Sequence, residues 1–251
     1  MSSSKERVIL VTGAAGGIGG ACADLLLHEG KRVCAADLKP FHDDDVHEDA
    51  EDTLLLQKVD VSDAASCKAV VAATVARFGR LDGLVHMAGV HSDHDWRELE
   101  PEQFNRLLSI NVTGTFLMAK AAAEAMRKTG GGSIVLTSSG SVNLSGHGGD
   151  VNICPAFVTS KAAIIGLVGA LARSFAPLHI RVNAISPGAT DTAMTARYDE
   201  KAMRRLSRRT LAGRVGSASE IARVASFLVS DASSYVDGQV IAVNGGDTFG
   251  A

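Results

Sequence analysis

A chain of 251 residues is long enough for one α/β domain with a full-sized core, and 46% hydrophobic with 21% charged residues is typical of a globular protein. The formal net charge of -3 argues against nucleic acid as a partner, because phosphate binding needs a concentrated basic surface. We expect no apolar run long enough to span a bilayer and, since residues 1–7 lack the apolar core of a secretory signal, a cytoplasmic protein without a membrane partner.

Metal ligation is not predicted. Four cysteines show no metal-like pairing and lie mostly in apolar segments, which favours reduced, buried thiols: Cys22, Cys34, Cys67 and Cys154. The acidic segment 41–53 carries two histidines that could bind a metal, but no ligand spacing fixes such a site and a solvated loop is favoured. A basic cluster is interpreted as the solvated side of a short helix: Arg204, Arg205, Arg208 and Arg209.

The chain begins with the pattern of a strand, a glycine loop and a helix. Residues 8–11 are a continuous β-branched and aliphatic run that suits a strand covered on both faces. Gly13, Gly17 and Gly19 follow, and from Ile18 onward the apolar residues have helical spacing. Such a turn brings backbone N–H groups and the positive end of a helix to one point, where a pyrophosphate can approach residues that lack Cβ. This predicts a dinucleotide site, although glycines also serve ordinary tight turns.

An acidic residue ends the second predicted strand. Residues 32–37 form this strand, and Asp37 lies 18 residues after Gly19 (37 minus 19). A carboxylate there can accept hydrogen bonds from the adenosine ribose hydroxyls and repels a 2′-phosphate, which favours NAD over NADP. The alternative is a surface acid that merely ends a strand.

Two further strands are predicted before the middle of the chain. Residues 54–61 end in Asp60 and Val61, where an adenine ring would lie in a doubly wound sheet, and Ser62 is placed to cap the next helix. Residues 81–89 form the fourth strand, whose exit has small residues that leave space for a ribose: Ala88 and Gly89.

The long helix predicted over 102–128 contains an amide among its apolar positions. A buried Asn111 needs hydrogen-bond partners, so we expect it to cap or kink the helix or to hold water for a site. After the fifth strand, 133–138, the segment 139–155 is longer than the usual connection of about 2–6 residues, which indicates a site.

The rest of the chain completes the alternation of strands and helices. A helix over 156–176 precedes a sixth strand over 180–186, and the polar, basic segment 189–213 is a candidate lid. Ser219 is expected to cap the last helix, and residues 239–243 form the seventh strand. The pattern predicts one doubly wound, Rossmann-type α/β domain over 1–251, with a seven-stranded parallel sheet, helices on both faces and the ligand beyond the strand C-termini.

The chain resembles the short-chain dehydrogenase/reductase family along essentially its whole length. Its run Thr12-Gly13-x-x-x-Gly17-Ile18-Gly19 is similar to the family's cofactor loop, and Gly16 and Leu38 stand where NADP-binding members tend to carry a basic residue. The resemblance implies an NAD-selecting role for Asp37. It also implies an adenine-side pair in Asp60 and Val61, and contacts to the cofactor from these residues: Leu38, Ala88, Gly89, Pro187, Gly188, Ala189 and Thr192.

The same resemblance implies an activity. Asn111, Ser139 and Lys161 fall where the family keeps three of its four catalytic residues, and Lys161 would also hold the ribose. An NAD-dependent oxidoreductase that interconverts a secondary alcohol or diol and its ketone is therefore expected, as a homo-oligomer, either dimer or tetramer.

The fourth catalytic position departs from the family. The Tyr-x-x-x-Lys motif is Phe157-Val158-Thr159-Ser160-Lys161 here, so the phenol that exchanges the substrate proton is missing. Three explanations remain open: an engineered replacement in an ordinary dehydrogenase, a non-redox or binding protein on the same fold, or a natural enzyme with another acid–base group among His147, Asp150, Cys154 and Tyr198.

The chain differs from the family at two further places. The family's Asn-Asn-Ala-Gly motif begins with His86-Met87 here, and the loop after Ser139 is longer than usual. His91 and His94 near Trp96 could line a substrate pocket or belong to an ordinary polar loop. A serine hydrolase is a different class, but no G-x-S-x-G elbow precedes a helix.

Overall fold

A computed structural model of the chain describes residues 7–41, 52–92, 96–144, 155–192, 195–196 and 198–249. Seven strands form one parallel sheet: β1 (Val8–Thr12), β2 (Arg32–Asp37), β3 (Leu54–Lys58), β4 (Gly83–His86), β5 (Gly132–Thr137), β6 (Ile180–Pro187) and β9 (Val240–Val243). Their order is β3-β2-β1-β4-β5-β6-β9, so the chain runs outward from β1 in one direction and from β4 in the other. The predicted doubly wound sheet is confirmed, with its switch point between β1 and β4.

Eight helices surround or extend the sheet: α1 (Gly17–His28), α2 (Ala64–Phe78), α3 (Pro101–Leu108), α4 (Gly114–Met126), α5 (Ser141–Leu144), α6 (Pro155–Phe175), α7 (Glu200–Arg209) and α8 (Ala218–Val229). Two short strands, β7 (Thr190–Asp191) and β8 (Gly216–Ser217), pair with each other in a second parallel ladder. The described part of the chain thus follows the predicted βα alternation.

The core has two halves, one on each face of the sheet, because side chains alternate along each strand. Val8 and Leu10 of β1 pack with α2, α4 and α6 in one half. Ile9 and Val11 pack with α1 and α8 in the other. Since both faces are covered, β1 is apolar throughout and fully buried, as its continuous aliphatic run predicts.

Two helix caps differ from the prediction. Asp63, and not Ser62, caps α2, because its carboxylate accepts from the Ala65 and Ser66 amides, whereas the Ser62 hydroxyl donates to Asp60 at 2.6 Å. Ser217, and not Ser219, caps α8 through a capping box with Glu220. At both helix starts a second residue that is equally suitable as a cap lies one or two positions away, so the sequence alone could not decide which of the two caps the helix.

Some element bounds also differ. The predicted helix 102–128 is divided by the π-helical turn Ser109–Thr113 between α3 and α4. β3 ends at Lys58 and β4 at His86, so Asp60, Val61, Ala88 and Gly89 lie just beyond the strands. Chain beyond a strand end is free to contact a ligand, because its backbone is not engaged in the sheet.

The expectation that no apolar run is long enough to span a bilayer is wrong for α6. By length and composition the stretch Pro155–Leu178, with mean hydropathy 1.6, could cross a membrane. Ile164, Val168 and Leu171 nevertheless pack into the core half that contains Leu10. This burial is typical of a central helix of a globular α/β domain, in which apolar composition reflects contact with the sheet.

Three thiols are buried and free, as predicted: Cys22, Cys34 and Cys67. Burial raises the pKa of Cys22 to about 12 and that of Cys34 and Cys67 to about 11. Cys154 and most of the acidic segment 41–53 lie outside the described residues.

Candidate active site

A cleft of about 1540 Å³ opens at the carboxyl ends of β1, β2, β4, β5 and β6. The cofactor and catalytic residues predicted from the sequence line it, with the exception of Asn111: Gly13, Gly17, Ile18, Gly19, Asp37, Leu38, Asp60, Val61, Ala88, Gly89, Ser139, Phe157, Lys161, Pro187, Gly188, Ala189 and Thr192. Residues far apart in the chain thus meet at the switch point of the sheet, where open α/β sheets bind ligands.

The glycine loop is packed too tightly for larger residues. Gly13 has φ +72°, and a Cβ built on it would lie 2.7 Å from the Ala88 amide nitrogen. A Cβ on Gly19 would lie 2.1 Å from the Gly13 carbonyl oxygen. α1 then begins at Gly17 with no side-chain cap and no acidic residue in its first turn. The positive end of α1 therefore faces the cleft without a neutralising group of its own.

Asp37 is fixed beside this loop. Its Oδ2 accepts from the Ala15 amide at 3.0 Å and its Oδ1 from the Lys39 amide at 2.9 Å. Leu38 is 55% exposed and lines the same end of the cleft, as does Lys39. The sequence analysis missed Lys39, although its place two residues after Asp37 could have indicated it.

Asp60 carries a stable negative charge at the mouth of the cleft. Ser62 donates to its Oδ1 from both the hydroxyl, at 2.6 Å, and the amide, at 2.9 Å, and these bonds lower the pKa of the Asp60 carboxyl, with a smaller contribution from Arg106 of α3. Val61 lies beside it, and its carbonyl accepts from the Cys67 thiol.

Asn111 lies in the π-helical turn, behind the cleft wall and 1% exposed. Its Oδ1 accepts from the Val90 amide at 2.8 Å, and its Nδ2 donates to the Val90 carbonyl at 2.9 Å and to Ser160 Oγ at 3.0 Å. The π-helical turn interrupts the predicted helix at this residue, and protein groups satisfy the amide. Asn111 therefore ties the loop after β4 to α6.

Lys161 extends from α6 toward the same loop. Its Nζ donates to the Thr137 carbonyl at 3.0 Å, and burial lowers its pKa to about 8, since the side chain is only 7% exposed. Gly89 makes room for the amine, because a Cβ built there would lie 3.5 Å from Nζ and 3.1 Å from Asn111 Oδ1. An alanine at this position would crowd Asn111 and would be in ordinary contact with Lys161.

Phe157 contacts an imidazole and an ammonium group. The ring centroids of Phe157 and His91 are 4.5 Å apart at an angle of 51°, and Lys161 Nζ is 5.8 Å from the Phe157 centroid. Ser139, across the cleft opening, accepts from the amide and hydroxyl of Ser141 at 3.2 and 2.9 Å. Phe157 itself has no group that can exchange a proton.

The other predicted acid–base candidates are divided between two parts of the chain. Tyr198 lines the cleft and is 39% exposed. His147, Asp150 and Cys154 lie outside the described residues, as does His94.

His86 is the first residue of the motif that differs from the family's Asn-Asn-Ala-Gly, and it is buried beneath the cleft. Its Nδ1 lies 2.8 Å from Thr12 Oγ1, and within the part of the chain that the structure describes its buried Nε2 has no hydrogen-bond partner. Burial lowers the pKa of His86 to about 3, with a smaller effect from the charge of Lys161. The imidazole is therefore neutral at physiological pH.

Described residues of the segment 189–213 line the cleft, among them Thr192, Tyr198 and Arg209. Thr192 packs on the glycine loop, since a Cβ on Gly17 would lie 2.6 Å from Thr192 Cγ2. The interpretation of the basic cluster as a solvated face holds for Arg204, Arg205 and Arg208, which are exposed on α7, although Arg205 also borders the cleft. It is wrong for Arg209, which is only partly exposed and lines the cleft. Arg209 also binds Asp247 through two hydrogen bonds of 2.9 and 3.1 Å. Sequence analysis missed three further cleft residues: Asp247, Thr248 and Phe249.

Comparison with known proteins gives one family and many full-length relatives. The family model described as enoyl-(acyl carrier protein) reductase matches residues 13–248. The chain is 38% identical to a 3-oxoacyl-[acyl-carrier-protein] reductase of Thermotoga maritima, over 96% of this chain and 97% of the relative. It is 36% identical to a cis-4-hydroxycyclohexanecarboxylate dehydrogenase of Sinomonas cyclohexanicum, over 97% of each chain.

Solved structures agree. The aldohexose dehydrogenase of Thermoplasma acidophilum superposes with a TM-score of 0.86 at 28% identity, over 100% of this chain and 97% of that one. A levodione reductase superposes with a TM-score of 0.85 at 32% identity, over 96% of each chain.

Proposed function

Because the chain belongs to the short-chain dehydrogenase/reductase family, whose members are oxidoreductases that use nicotinamide cofactors, we propose that it interconverts a secondary alcohol or diol and its ketone with NAD. The observation that carries the proposal is the cleft at the switch point, which brings the glycine loop, Asp37 and Lys161 together. Relatives named as dehydrogenases of hydroxycyclohexanecarboxylate support the substrate class.

The choice of NAD rests on Asp37. Its carboxylate is anchored at the end of β2 by two backbone amides, where it would accept from the ribose hydroxyls and repel a 2′-phosphate. Gly16 and Leu38 add no positive charge there. Lys39 lines the same end of the cleft, and its positive charge would favour a 2′-phosphate and so opposes the preference for NAD.

The residues present fit a nicotinamide cofactor, which when bound supplies hydride transfer. The glycine loop and the free end of α1 would hold its pyrophosphate, and Lys161 would hold the nicotinamide ribose. Ser139 would polarise the substrate carbonyl. Asn111 acts on the site through Val90 and Ser160, whose positions it fixes.

Phe157 should affect the rate of the reaction and not the binding of cofactor and substrate. It stands at the family's tyrosine position, so this chain would bind cofactor and substrate with a full set of contacts and turn over slowly. General acid–base catalysis contributes about 10²–10⁴-fold. An alternative is a non-redox or binding protein on the same fold, and the same missing hydroxyl favours it.

We also propose that 189–213 is the substrate lid and that the protein is a cytoplasmic homo-oligomer, a dimer or tetramer. α6 supports the oligomer, because it is strongly apolar yet exposes Gly166, Gly169 and Ala170 on its outer side. A flat face of small residues allows the same helix of a second copy to approach closely.

Turnover and cofactor affinity test the proposal together. Phe157→Tyr should raise kcat, by up to about 10²–10⁴-fold, in an assay of secondary alcohols that includes 4-hydroxycyclohexanecarboxylate, because it adds the phenol that exchanges the substrate proton in the family. Phe227→Tyr, on the half-exposed outer side of α8, is the matched control and should leave kcat unchanged. Calorimetry should give a lower dissociation constant for NADH than for NADPH. Equal constants would contradict the NAD proposal, and no turnover from Phe157→Tyr would contradict the activity.

A further inference from the structure

We infer that His91 exchanges the substrate proton in this chain, from a position against the ring of Phe157. The inference rests on the proposed oxidoreductase function and names a catalytic residue for it. Neither the family resemblance nor the relatives assign a role to this histidine. Its imidazole lines the cleft together with Ser139, Phe157 and Lys161.

The imidazole lies against the ring that lacks the hydroxyl. The centroids of the His91 and Phe157 rings are 4.5 Å apart and the rings are tilted by 51°, which is direct ring contact. Because both rings line the cleft that Ser139 also lines, an acid–base group on His91 is available to a substrate bound there.

The chain before His91 is held in place. Val90 is bound at both its amide and its carbonyl by Asn111, at 2.8 and 2.9 Å, and Asn111 is itself bound to Ser160 of α6, the helix that carries Phe157. His91 and Phe157 therefore belong to elements joined by one buried amide. This fixed relation is what a catalytic group needs, because small displacements cost large factors in rate.

The chemistry of the surrounding groups favours an imidazole as the base. Phe157 has no exchangeable proton, and Lys161 is committed to the Thr137 carbonyl at 3.0 Å. An imidazole gains and loses a proton near neutral pH. Besides His91 and Lys161, the described residues that line the cleft include these titratable or charged groups: Asp37, Lys39, Asp60, Arg106, Tyr198, Arg205, Arg209 and Asp247.

The step balances with the cofactor of the proposed function. In the oxidation direction a bound nicotinamide would accept the hydride of the carbinol carbon, whose C–O bond becomes C=O, and a ring nitrogen of His91 takes the hydroxyl proton. The imidazolium then releases that proton to solvent. Ketone reduction runs the same transfers in reverse.

A double-mutant cycle tests the inference with four proteins: wild type, His91→Asn, Phe157→Tyr and the double variant. In the wild type, His91→Asn should lower kcat at least 30-fold, because it removes the proton acceptor. In the Phe157→Tyr background the same change should cost less than threefold, since the phenol then exchanges the proton. His179→Asn is the matched control: His179 is exposed, far from the cleft, and has φ 57°, which asparagine also adopts.

Two further measurements separate His91 from its rivals. The acidic limb of the wild-type kcat profile should be lost in His91→Asn; a limb near pH 8 that survives would assign the proton to Lys161 and overturn the inference. By NMR, the His91 ring resonance, assigned by its loss in His91→Asn, should shift when NADH and then cyclohexanone are added, and an unchanged resonance contradicts its place at the site.

The outcomes also distinguish the two proposals. Turnover by Phe157→Tyr with none by the wild type overturns the role of His91 and leaves the proposed function standing. An equal loss of kcat from His91→Asn in both backgrounds shows a structural role and overturns the inference too. If neither protein turns over any alcohol of the assay, the proposed function itself fails.

Discussion

The Lys161 amine and three cysteine thiols are buried where water is largely excluded. Burial makes the contribution of the amine to the stability of the folded protein rise with pH and that of the thiols fall. Burial disfavours a charged amine, so the pKa of Lys161 falls from 10.5 to about 8. Burial equally disfavours a thiolate, so the pKa values of Cys22, Cys34 and Cys67 rise from 9.0 to between about 11 and 12. A charged Lys161 therefore destabilises the protein without its ligands, whereas neutral thiols do not.

Lys161 should raise the free energy of unfolding by about 1 kcal/mol between pH 8 and 9, because the folded amine loses its proton in this range while the unfolded amine, with pKa 10.5, keeps it. The three cysteines should lower it by about the same amount over the same range, because the unfolded thiols, with pKa 9.0, ionise and the folded ones do not. The wild type should therefore show little net change. Urea denaturation of the protein without cofactor, at pH 7.5, 8, 8.5 and 9, measures the profile.

Lys161→Met should leave only the contribution of the thiols, so its free energy of unfolding should fall by about 1 kcal/mol between pH 8 and 9, and the variant should be at least as stable as the wild type at pH 7.5. Lys120→Met, which changes an exposed lysine of α4, is the control and should keep the wild-type profile. If Lys161→Met also keeps the wild-type profile, the charge on Lys161 does not contribute to it.

At the scale of elements, the glycines between β1 and α1 have different roles. Some are required for packing, and others leave space for a ligand. Gly19 lies against backbone, because a Cβ there would come within 2.1 Å of the Gly13 carbonyl oxygen. Gly16, the first residue before α1, has φ -140° and its Cβ would meet only that same carbonyl, at 3.8 Å. Gly16 is therefore free to carry a side chain where Gly19 is not.

Gly19→Ala should lower the free energy of unfolding by at least about 2 kcal/mol, because the backbone must shift to relieve overpacking. Gly16→Ala is the matched variant and should cost less than about 1 kcal/mol, the usual loss for alanine at a helix N-cap. Chemical denaturation of both variants without cofactor checks the difference. Equal losses would mean that Gly19 is not under packing constraint.

At the scale of the whole molecule, the C-terminal segment returns to the cleft and holds α7. Asp247 follows β9, and its buried carboxylate accepts two hydrogen bonds from Arg209, whose side chain is 25% exposed. The amide of Ala212 also donates to the Gly245 carbonyl at 3.0 Å. Two segments more than thirty residues apart in the chain thus form one wall of the cleft.

Asp247→Asn should lower the free energy of unfolding by about 1–3 kcal/mol, because it weakens charge-assisted bonds shielded from water. Glu200→Gln is the control within the same helix: the Glu200–Arg204 pair has side chains that are 80% and 65% exposed and should contribute less than about 0.5 kcal/mol. Urea denaturation at pH 7 compares them. A loss from Glu200→Gln as large as that from Asp247→Asn would contradict the special role of the buried pair.

Much of the site was open to prediction from local pattern. Gly13, Asp37 and Lys161 belong to motifs in which the chemistry requires a residue type at a fixed spacing, and the structure places all three in one cleft. Lys39, Arg209 and Asp247 were missed or misjudged, because a charged residue on a loop or helix has the same pattern whether it faces solvent or a cleft.

The sequence alone determined the alternation of strands and helices, the glycine loop and the absence of a phenol at Phe157, because periodicity and motif spacing are local properties of the chain. Only the tertiary structure decided that Asn111 binds Val90 and Ser160, that Arg209 binds Asp247, and that the ring of His91 lies against Phe157. These contacts join residues up to 66 positions apart (157 minus 91), and such distances are closed by the packing of helices on the sheet, which no local pattern specifies.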